Sequence, residues 1–146
     1  MPVALYTAAA TKALDADIVV RGTEGFTLMQ DAAKAAFDVL TSQWSHAQHI
    51  SVICGTGKNG GDGLLLATLL RDAGKDVKVV MPDGSLPHHA DVQRALTLWL
   101  NGNGDIASQL DTLELPDVII DALLGTGLNR TIGNTYAQAI QTINTA

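Results

Sequence analysis

The sequence is poor in cysteine and in charged residues. Its only cysteine is Cys54, so an internal disulfide is impossible, and such sparse cysteine usage is typical of a reducing compartment. Charged residues make up 16% of the chain, and the net charge is −6. Because nucleic-acid and membrane surfaces take much of their affinity from basic residues, we expect neither as a partner.

Long apolar segments are also absent. No apolar run reaches the roughly 20 residues that a membrane-spanning helix needs, and the N-terminus lacks the pattern of a signal peptide. Apolar residues nevertheless make up 47% of the 146 residues, which suffices for one sizeable core. We find no repeat, low-complexity segment or linker, and therefore expect one soluble, cytoplasmic domain over residues 1–146.

Short apolar runs alternate with segments of helical periodicity. Strands are predicted at 49–54, 76–81 and 117–121, and helices at 7–20, from 27 onward, at 64–74, at 85–101 and at 132–143; residues 103–116 stay ambiguous. Strands that alternate with helices through short loops predict an α/β fold, in which a mainly parallel sheet carries helices on both faces.

The second predicted helix has one apolar face. Thr27–Gln30 has the spacing of a capping box, which places the start of this helix at about Thr27. Its apolar positions are Met29, Ala32, Ala33, Ala36, Phe37, Leu40 and Trp44. We expect this face to pack on the sheet or on a partner subunit, and both Trp44 and Trp99 to lie in the core.

Glycine-rich segments follow the first and the third predicted strand. Residues 55–63 are predicted to form a bare loop, and a second glycine turn occupies 124–127. Glycines admit a ligand close to the backbone, and the amides at the start of a helix attract phosphate. Since the carboxyl ends of parallel strands meet at one edge of the sheet, we expect both segments to face one cleft.

The first segment contains a dinucleotide fingerprint. Gly55–Gly60 matches G-x-G-x-x-G, which is a weak signal by itself. Asp83, close to the end of the second predicted strand, is placed to contact a ribose if the chain is a redox Rossmann domain. A Walker A loop is excluded, because no Gly-Lys-Ser/Thr follows.

A longer pattern is more specific. The string Gly-Thr-Gly-Lys-Asn-Gly-Gly-Asp-Gly at 55–63, followed by Asp-Ala-Leu-Leu-Gly-Thr-Gly-Leu at 121–128, resembles the NAD(P)H-hydrate epimerase family, the YjeF N-terminal domain. The resemblance implies a Rossmann-like three-layer α/β/α fold and a homodimer. It also implies interconversion of the R and S hydrates of NADH and NADPH, possible fusion to an ADP- or ATP-dependent dehydratase, and a potassium ion in the site.

The same resemblance assigns roles to individual residues. Asn59 and Asp121 are the implied potassium ligands. Asp121, which we expect to be partly desolvated at its strand end, is also the expected catalytic acid/base. The implied substrate contacts are Lys58, Asn59, Gly60, Gly61, Asp62, Gly125, Thr126, Gly127, Leu128, Asn129, Arg130 and Thr131.

Two features depart from the family pattern. The family commonly has Asn at the position of Lys58, which leaves the substrate contact there open. The chain also stops at Ala146, before the Asp-x-Pro-Ser-Gly element of the family. We therefore expect a fragment of a longer protein with an incomplete site, and the activity of the fragment alone stays open.

Structural roles compete with these assignments. Asp62 is also placed to cap the following helix, and Asn59 to fix its loop locally. Lys58 is open to a purely solvated role, and Thr126 and Asn129 to roles as turn residues. Two rival functions remain: a redox Rossmann domain that binds intact NADH, and a nucleotide-binding module without turnover.

Overall fold

The computed structural model describes residues 5–111 and 114–146, and in these ranges it contains five helices and four strands. In chain order they are α1 (Ala8–Val20), α2 (Gly25–Gln43), β1 (His49–Cys54), α3 (Lys58–Asp72), β2 (Asp76–Val80), α4 (Ala90–Asn101), β3 (Ile106–Ala107), β4 (Val118–Ala122) and α5 (Asn134–Thr145). Residues 112–113 of the ambiguous segment lie outside the described residues, and β3 forms inside that segment.

The four strands form one parallel sheet in the order β3-β2-β1-β4. The first four positions of the doubly wound Rossmann sheet have this order, which reverses direction next to the first strand. In the register, Ile53 of β1 lies beside Val80 of β2 on one side and beside Asp121 of β4 on the other. The predicted parallel α/β architecture is confirmed.

The middle strand β1 is buried on both faces, which explains its nearly continuous apolar sequence. Ile50, Val52 and Cys54 belong to a core that also contains residues of α2, α3 and α4. Ile53 belongs to a smaller core on the other face, where Ile140 of α5 packs. The molecule therefore has three layers, with α5 alone covering the second face among the described helices.

Helices α2 and α4 begin at other residues than the sequence predicts, as does α3, which begins at Lys58 instead of residue 64. α2 begins at Gly25 and its N-cap is Glu24, so the capping box at Thr27 is wrong. α4 begins at Ala90 instead of residue 85. The segment before α4 is held in a non-helical path, because the Asp83 Oδ1 accepts the backbone N–H of Ser85 at 2.9 Å. Local side-chain hydrogen bonds of this kind compete with helix formation.

The apolar face of α2 packs inside the chain. Met29, Ala33 and Leu40 are buried in the core shared with α3 and α4, whereas Ala32 and Ala36 of the predicted face are exposed. Trp44 is 44% exposed, against expectation, because the helix ends at Gln43 and the helical spacing no longer applies. Trp99 is buried as predicted, and its Nε1 donates to the Asp105 carbonyl at 2.9 Å.

Asp117 joins the amino ends of β1 and β4. Its Oδ2 accepts the backbone N–H groups of Gln48 and His49 at 2.8 and 2.9 Å. The hydrogen bond from His49, followed by that from Gln48, lowers the pKa of the Asp117 carboxyl below its ordinary value. A carboxyl with a lowered native pKa stabilises the fold above its ordinary pKa and loses that effect as the pH falls through the native pKa.

We expect Asp117→Asn to lower the midpoint of thermal unfolding at pH 7, and this deficit to shrink as the pH falls below the ordinary carboxyl pKa and through the lower native pKa of Asp117. Melting curves recorded from pH 2 to pH 8 measure the difference. Asp76→Asn is the matched control at the same end of the sheet. Its carboxylate lies 3.9 Å from the His49 Nε2 and accepts no backbone N–H among the described residues. A deficit for Asp117→Asn that is equal at all pH values would contradict the electrostatic account.

Among the helices of the described residues, none combines the length and the hydropathy that crossing a bilayer requires.

Candidate functional site

The connection from β1 to α3 is shorter than the sequence predicts. Only Gly55, Thr56 and Gly57 lie outside regular structure, and residues 58–63 form the first turns of α3. The low helix propensity of glycine favours a loop here, but tertiary packing overrides it. The N-terminus of α3, with its unpaired amides, therefore begins directly behind the strand end.

Buried glycines let the start of α3 approach its neighbours closely. A Cβ at Gly60 would lie 1.8 Å from the Gly55 carbonyl oxygen, and one at Gly63 would lie 2.7 Å from the Cβ of Ala122. Gly61 faces the thioether of Met29 in the same way. These three glycines allow tight packing of a helix on a sheet, as the last glycine of the fingerprint does in Rossmann folds.

The two glycine segments meet at the carboxyl edge of the sheet. The Asn59 Nδ2 donates to the Leu124 carbonyl at 3.1 Å, and the Gly55 N–H donates to the Ala122 carbonyl at 3.0 Å. The two segments therefore meet at one edge of the sheet, as expected, while the cleft between them stays a prediction. Asn59 therefore fixes a turn distant in sequence, which differs from the local role considered for it, and its Oδ1 has no partner among the described residues.

Tyr136 of α5 also joins this junction. Its hydroxyl accepts the backbone N–H of Thr56 at 3.3 Å, and it lies 3.2 Å from the place of a Cβ on Gly55. The sequence analysis missed this residue. An aromatic side chain in the first turn of the helix that follows the second glycine turn was the available signal.

Asp121 is the last but one residue of β4, and its side chain is exposed. Its Oδ1 accepts the backbone N–H of Leu123 at 3.0 Å, which holds the carboxylate next to the turn that Asn59 fixes. The expectation that Asp121 is partly desolvated is wrong for this structure. Its second oxygen has no hydrogen-bond partner in residues 5–111 and 114–146, so Asn59 and Asp121 each present one oxygen that suits a hard cation.

The remaining predicted contacts of the second turn lie at the surface. All seven are exposed: Gly125, Thr126, Gly127, Leu128, Asn129, Arg130 and Thr131. Gly125 approaches the first segment, since a Cβ there would lie 3.4 Å from the Cβ of Asn59. The structure therefore brings this turn to Asn59, and the individual substrate contacts stay predictions.

Asp62 carries a strongly perturbed carboxyl. The N-cap of α3 is Gly57, so the interpretation of Asp62 as the helix cap is wrong. Its side chain is half-buried and makes no hydrogen bond or ion pair in the part of the chain that the structure describes. Burial raises the pKa of Asp62 to about 6, with a further increase from Asp15 and an opposing effect of Lys58.

We expect Asp62→Asn to stabilise the protein above pH 6. A carboxyl whose native pKa is raised stabilises the fold below its ordinary pKa and loses that effect as the pH rises through the native value. The neutral amide avoids this loss, and we expect a gain of about 1 kcal/mol at pH 7 after allowing for solvent screening.

Urea unfolding at pH 4 and at pH 7.5 measures this effect. The gain should be much smaller at the lower pH, where the native carboxyl is protonated and the carboxyl of the unfolded chain is only partly ionised. Asp31→Asn, which changes an exposed carboxylate on α2, is the control and should show no gain at either pH. An Asp62→Asn variant that is less stable than the parent protein at pH 7.5 would contradict the prediction.

Two further observations limit the site. Among the described residues, no group of three or more His, Cys, Asp or Glu side chains converges on a metal position. A groove of about 550 Å³ runs along the face of the sheet under α5, lined by Ile53, Val80, Leu110 and Ile143 among others. None of its lining residues belongs to the two glycine segments, so the groove is separate from the junction.

Comparisons with known proteins agree with the two motifs. A sequence model described as "YjeF-related protein N-terminus" matches residues 25–146. The bifunctional NAD(P)H-hydrate repair enzyme Nnr of Escherichia coli is 38% identical over 126 residues, which are 86% of this chain and 24% of that enzyme. The NAD(P)H-hydrate epimerase of Achromobacter xylosoxidans is 36% identical over 120 residues, which are 82% of this chain and 58% of the relative.

A solved structure supports the fold. The crystal structure of the yeast protein ynu0 superposes with a TM-score of 0.83 and 18% identity, covering 97% of this chain and 65% of the yeast chain. The chain spans between a quarter and three-fifths of the length of the two bacterial relatives above. With more than half of its residues matched by the family model, the chain belongs to the family of YjeF-related protein N-termini.

Proposed function

We propose that this chain is an isomerase domain that interconverts the R and S hydrates of NADH and NADPH. One observation carries the proposal: two glycine segments meet at the carboxyl edge of the sheet, joined through the Asn59 amide and the Leu124 carbonyl. Ligands of open α/β sheets bind at such an edge, beside the point where strand order reverses. The names of the relatives, an NAD(P)H-hydrate epimerase among them, supply the substrate class.

The N-terminus of α3 is the proposed site for the pyrophosphate of the substrate. Its first amides are unpaired, and the helix dipole places partial positive charge there. Lys58, the first residue of α3, adds an exposed ammonium group. Gly60 and Gly61 are buried, so we assign them backbone contacts only, and residues 125–131 close the other side of the substrate.

A potassium ion is part of the proposal. The residues present suit it. Asn59 at the start of α3 and Asp121 near the end of β4 each present one oxygen without a partner among the described residues. Amide and carboxylate oxygens are hard ligands that such a cation prefers. When bound, the ion supplies positive charge that offsets the carboxylate and orients substrate oxygens.

Asp121 is the proposed acid/base. In the hydrate, the hydroxyl group sits on a ring carbon bonded to nitrogen. The acid form of Asp121 gives its proton to that hydroxyl, and the C–O bond breaks with its electron pair going to oxygen. Water leaves while the nitrogen lone pair stabilises the ring cation. Water then adds to the opposite face and returns a proton to the carboxylate. The carboxylate of Asp121 is exposed and therefore accessible in both steps.

The proposal is tested by incubating the protein with purified R-hydrate of NADPH and separating the two epimers by chromatography over time. We expect conversion toward an equilibrium mixture, accelerated over the spontaneous reaction. Binding of the dinucleotide without acceleration would replace the proposal with the module that lacks turnover. A redox domain would instead bind intact NADH through Asp83, whose Oδ1 accepts the Ser85 N–H in this structure.

We also propose the setting in which the domain acts. The Escherichia coli relative is named a bifunctional repair enzyme, which supports a second, dehydrating activity acting on the S-hydrate that epimerisation supplies. A homodimer remains part of the proposal, although the apolar face of α2 is used inside the chain. Size-exclusion chromatography with light scattering measures the oligomeric state directly.

A further inference from the structure

Helix α1 lies beside the two glycine segments. None of its residues is buried, so it adds no side chain to either core. Its Lys12 reaches the second glycine turn: a Cβ built on Gly127 would lie 3.3 Å from the Lys12 Nζ. Asp15, one turn further along α1, is close enough to Asp62 of α3 to affect its ionisation. One face of α1 therefore spans the gap between the two segments.

The ammonium group of Lys12 has no partner in the described part of the chain. It is exposed and makes no ion pair or hydrogen bond there, whereas Lys34, Lys75 and Lys78 have protein partners. Lys75, for example, donates to the Ala47 carbonyl at 2.7 Å. A cation that stands over a bare glycine turn without an anion from the protein is placed to receive an anion from a ligand.

The charge balance at this edge favours such a role. The protein carries a net charge of −6, and Asp15, Asp62 and Asp121 all lie around the junction. A pyrophosphate bearing two negative charges would be repelled there unless cations offset the carboxylates. Lys58 provides one cation from the side of α3, and Lys12 provides a second from the side of α1.

We propose that Lys12 binds a phosphate of the dinucleotide over the second glycine turn, and so is a substrate-binding residue contributed by α1. This inference rests on the proposed function, because it takes the pyrophosphate-bearing substrate from there. The contact depends on the absence of a side chain at Gly127, because a Cβ at that position would crowd the Lys12 ammonium group.

Calorimetric titration with ADP-ribose, which carries the pyrophosphate without the nicotinamide, tests the proposal. We expect Lys12→Ala to weaken binding about tenfold, as loss of one charge-assisted hydrogen bond does. Lys12→Arg should retain most of the affinity because it retains the charge. Alanine is the best helix former, so Lys12→Ala keeps α1 intact, which circular dichroism verifies.

Lys34→Ala is the matched control. Lys34 is another exposed helical lysine, and it pairs with Asp38 on α2 instead of facing the junction. Equal affinities of Lys12→Ala and Lys34→Ala, with binding by the parent protein, would overturn the role of Lys12 and leave the proposed function standing. No binding of ADP-ribose by the parent protein would overturn both. A loss in Lys12→Ala alone, restored by Lys12→Arg, supports the inference.

Discussion

Asp121→Ala is expected to slow epimerisation of the hydrate by a factor of about 10²–10⁴, the usual contribution of a positioned acid/base. The alanine removes both the proton-transfer group and the acceptor for the Leu123 N–H, which holds the turn next to Asn59. Initial rates with purified R-hydrate, measured with parent and variant at saturating substrate, give the factor. The expected loss lies in kcat, because the group transfers a proton in the chemical step.

Asp121→Asn separates chemistry from structure in this experiment. The amide oxygen still accepts the Leu123 N–H, whereas the side chain cannot transfer a proton. We expect it to be as slow as the alanine variant while retaining affinity for ADP-ribose. An asparagine variant with the parent's kcat would remove Asp121 from the chemistry.

Asp62 is then the next carboxyl to examine. Its pKa is raised to about 6, mainly by burial, and a general acid/base functions best when its pKa lies near the working pH. The same two substitutions at Asp62 show whether the loss is specific to Asp121. A kcat that falls with Asp62→Asn and not with Asp121→Asn would transfer the catalytic role to α3.

Strands β1, β2 and β4 and the common edge of the glycine segments were predictable from sequence, and for a physical reason, whereas the short strand β3 was not. β1 and β4 are apolar runs bounded by polar residues, and parallel strands must place their carboxyl ends together. The junction through Asn59 and Leu124 follows from that register, in which Cys54 lies beside Ala122. Short-range patterns sufficed here, because the parallel sheet itself brings the two glycine segments together.

The helical state of Lys58–Gly63 was not predictable from residue preferences. Three glycines argue for a loop, yet close packing of Gly60 on Gly55 and of Gly63 on Ala122 selects the helix. The raised pKa of Asp62 follows from this tertiary arrangement. No local pattern contains such information.

The position of Lys12 lies beyond sequence reasoning for a related reason. α1 has no buried residue, so its apolar spacing says nothing about where it lies. The prediction that Trp44 is buried was wrong for a simpler reason. Its helical spacing from Leu40 places it on the apolar face only if the helix continues, and α2 ends one residue earlier. Both cases depend on contacts or boundaries that the local pattern leaves undetermined.

Gly60→Ala is expected to destabilise the protein by about 3 kcal/mol or more, a large part of the 5–15 kcal/mol typical of a domain. Its Cβ would lie 1.8 Å from the Gly55 carbonyl oxygen and 2.6 Å from the carbonyl carbon. These are backbone atoms, so no rotamer change relieves the overlap. The gain of up to about 1 kcal/mol from replacing a helical glycine with alanine is smaller than this penalty.

The first turn of α3 must therefore move away from β1, which also breaks the contact between Asn59 and Leu124. Urea unfolding gives the loss of stability, and calorimetry with ADP-ribose should show lost binding in whatever fraction stays folded. Gly57→Ala is the matched control two residues past Gly55, because nothing lies within 4 Å of its added Cβ. As an N-cap change it should cost less than about 1 kcal/mol. Equal stabilities of the two alanine variants would show that the start of α3 can shift without loss, and that close packing of Gly60 on Gly55 does not fix the geometry of the junction.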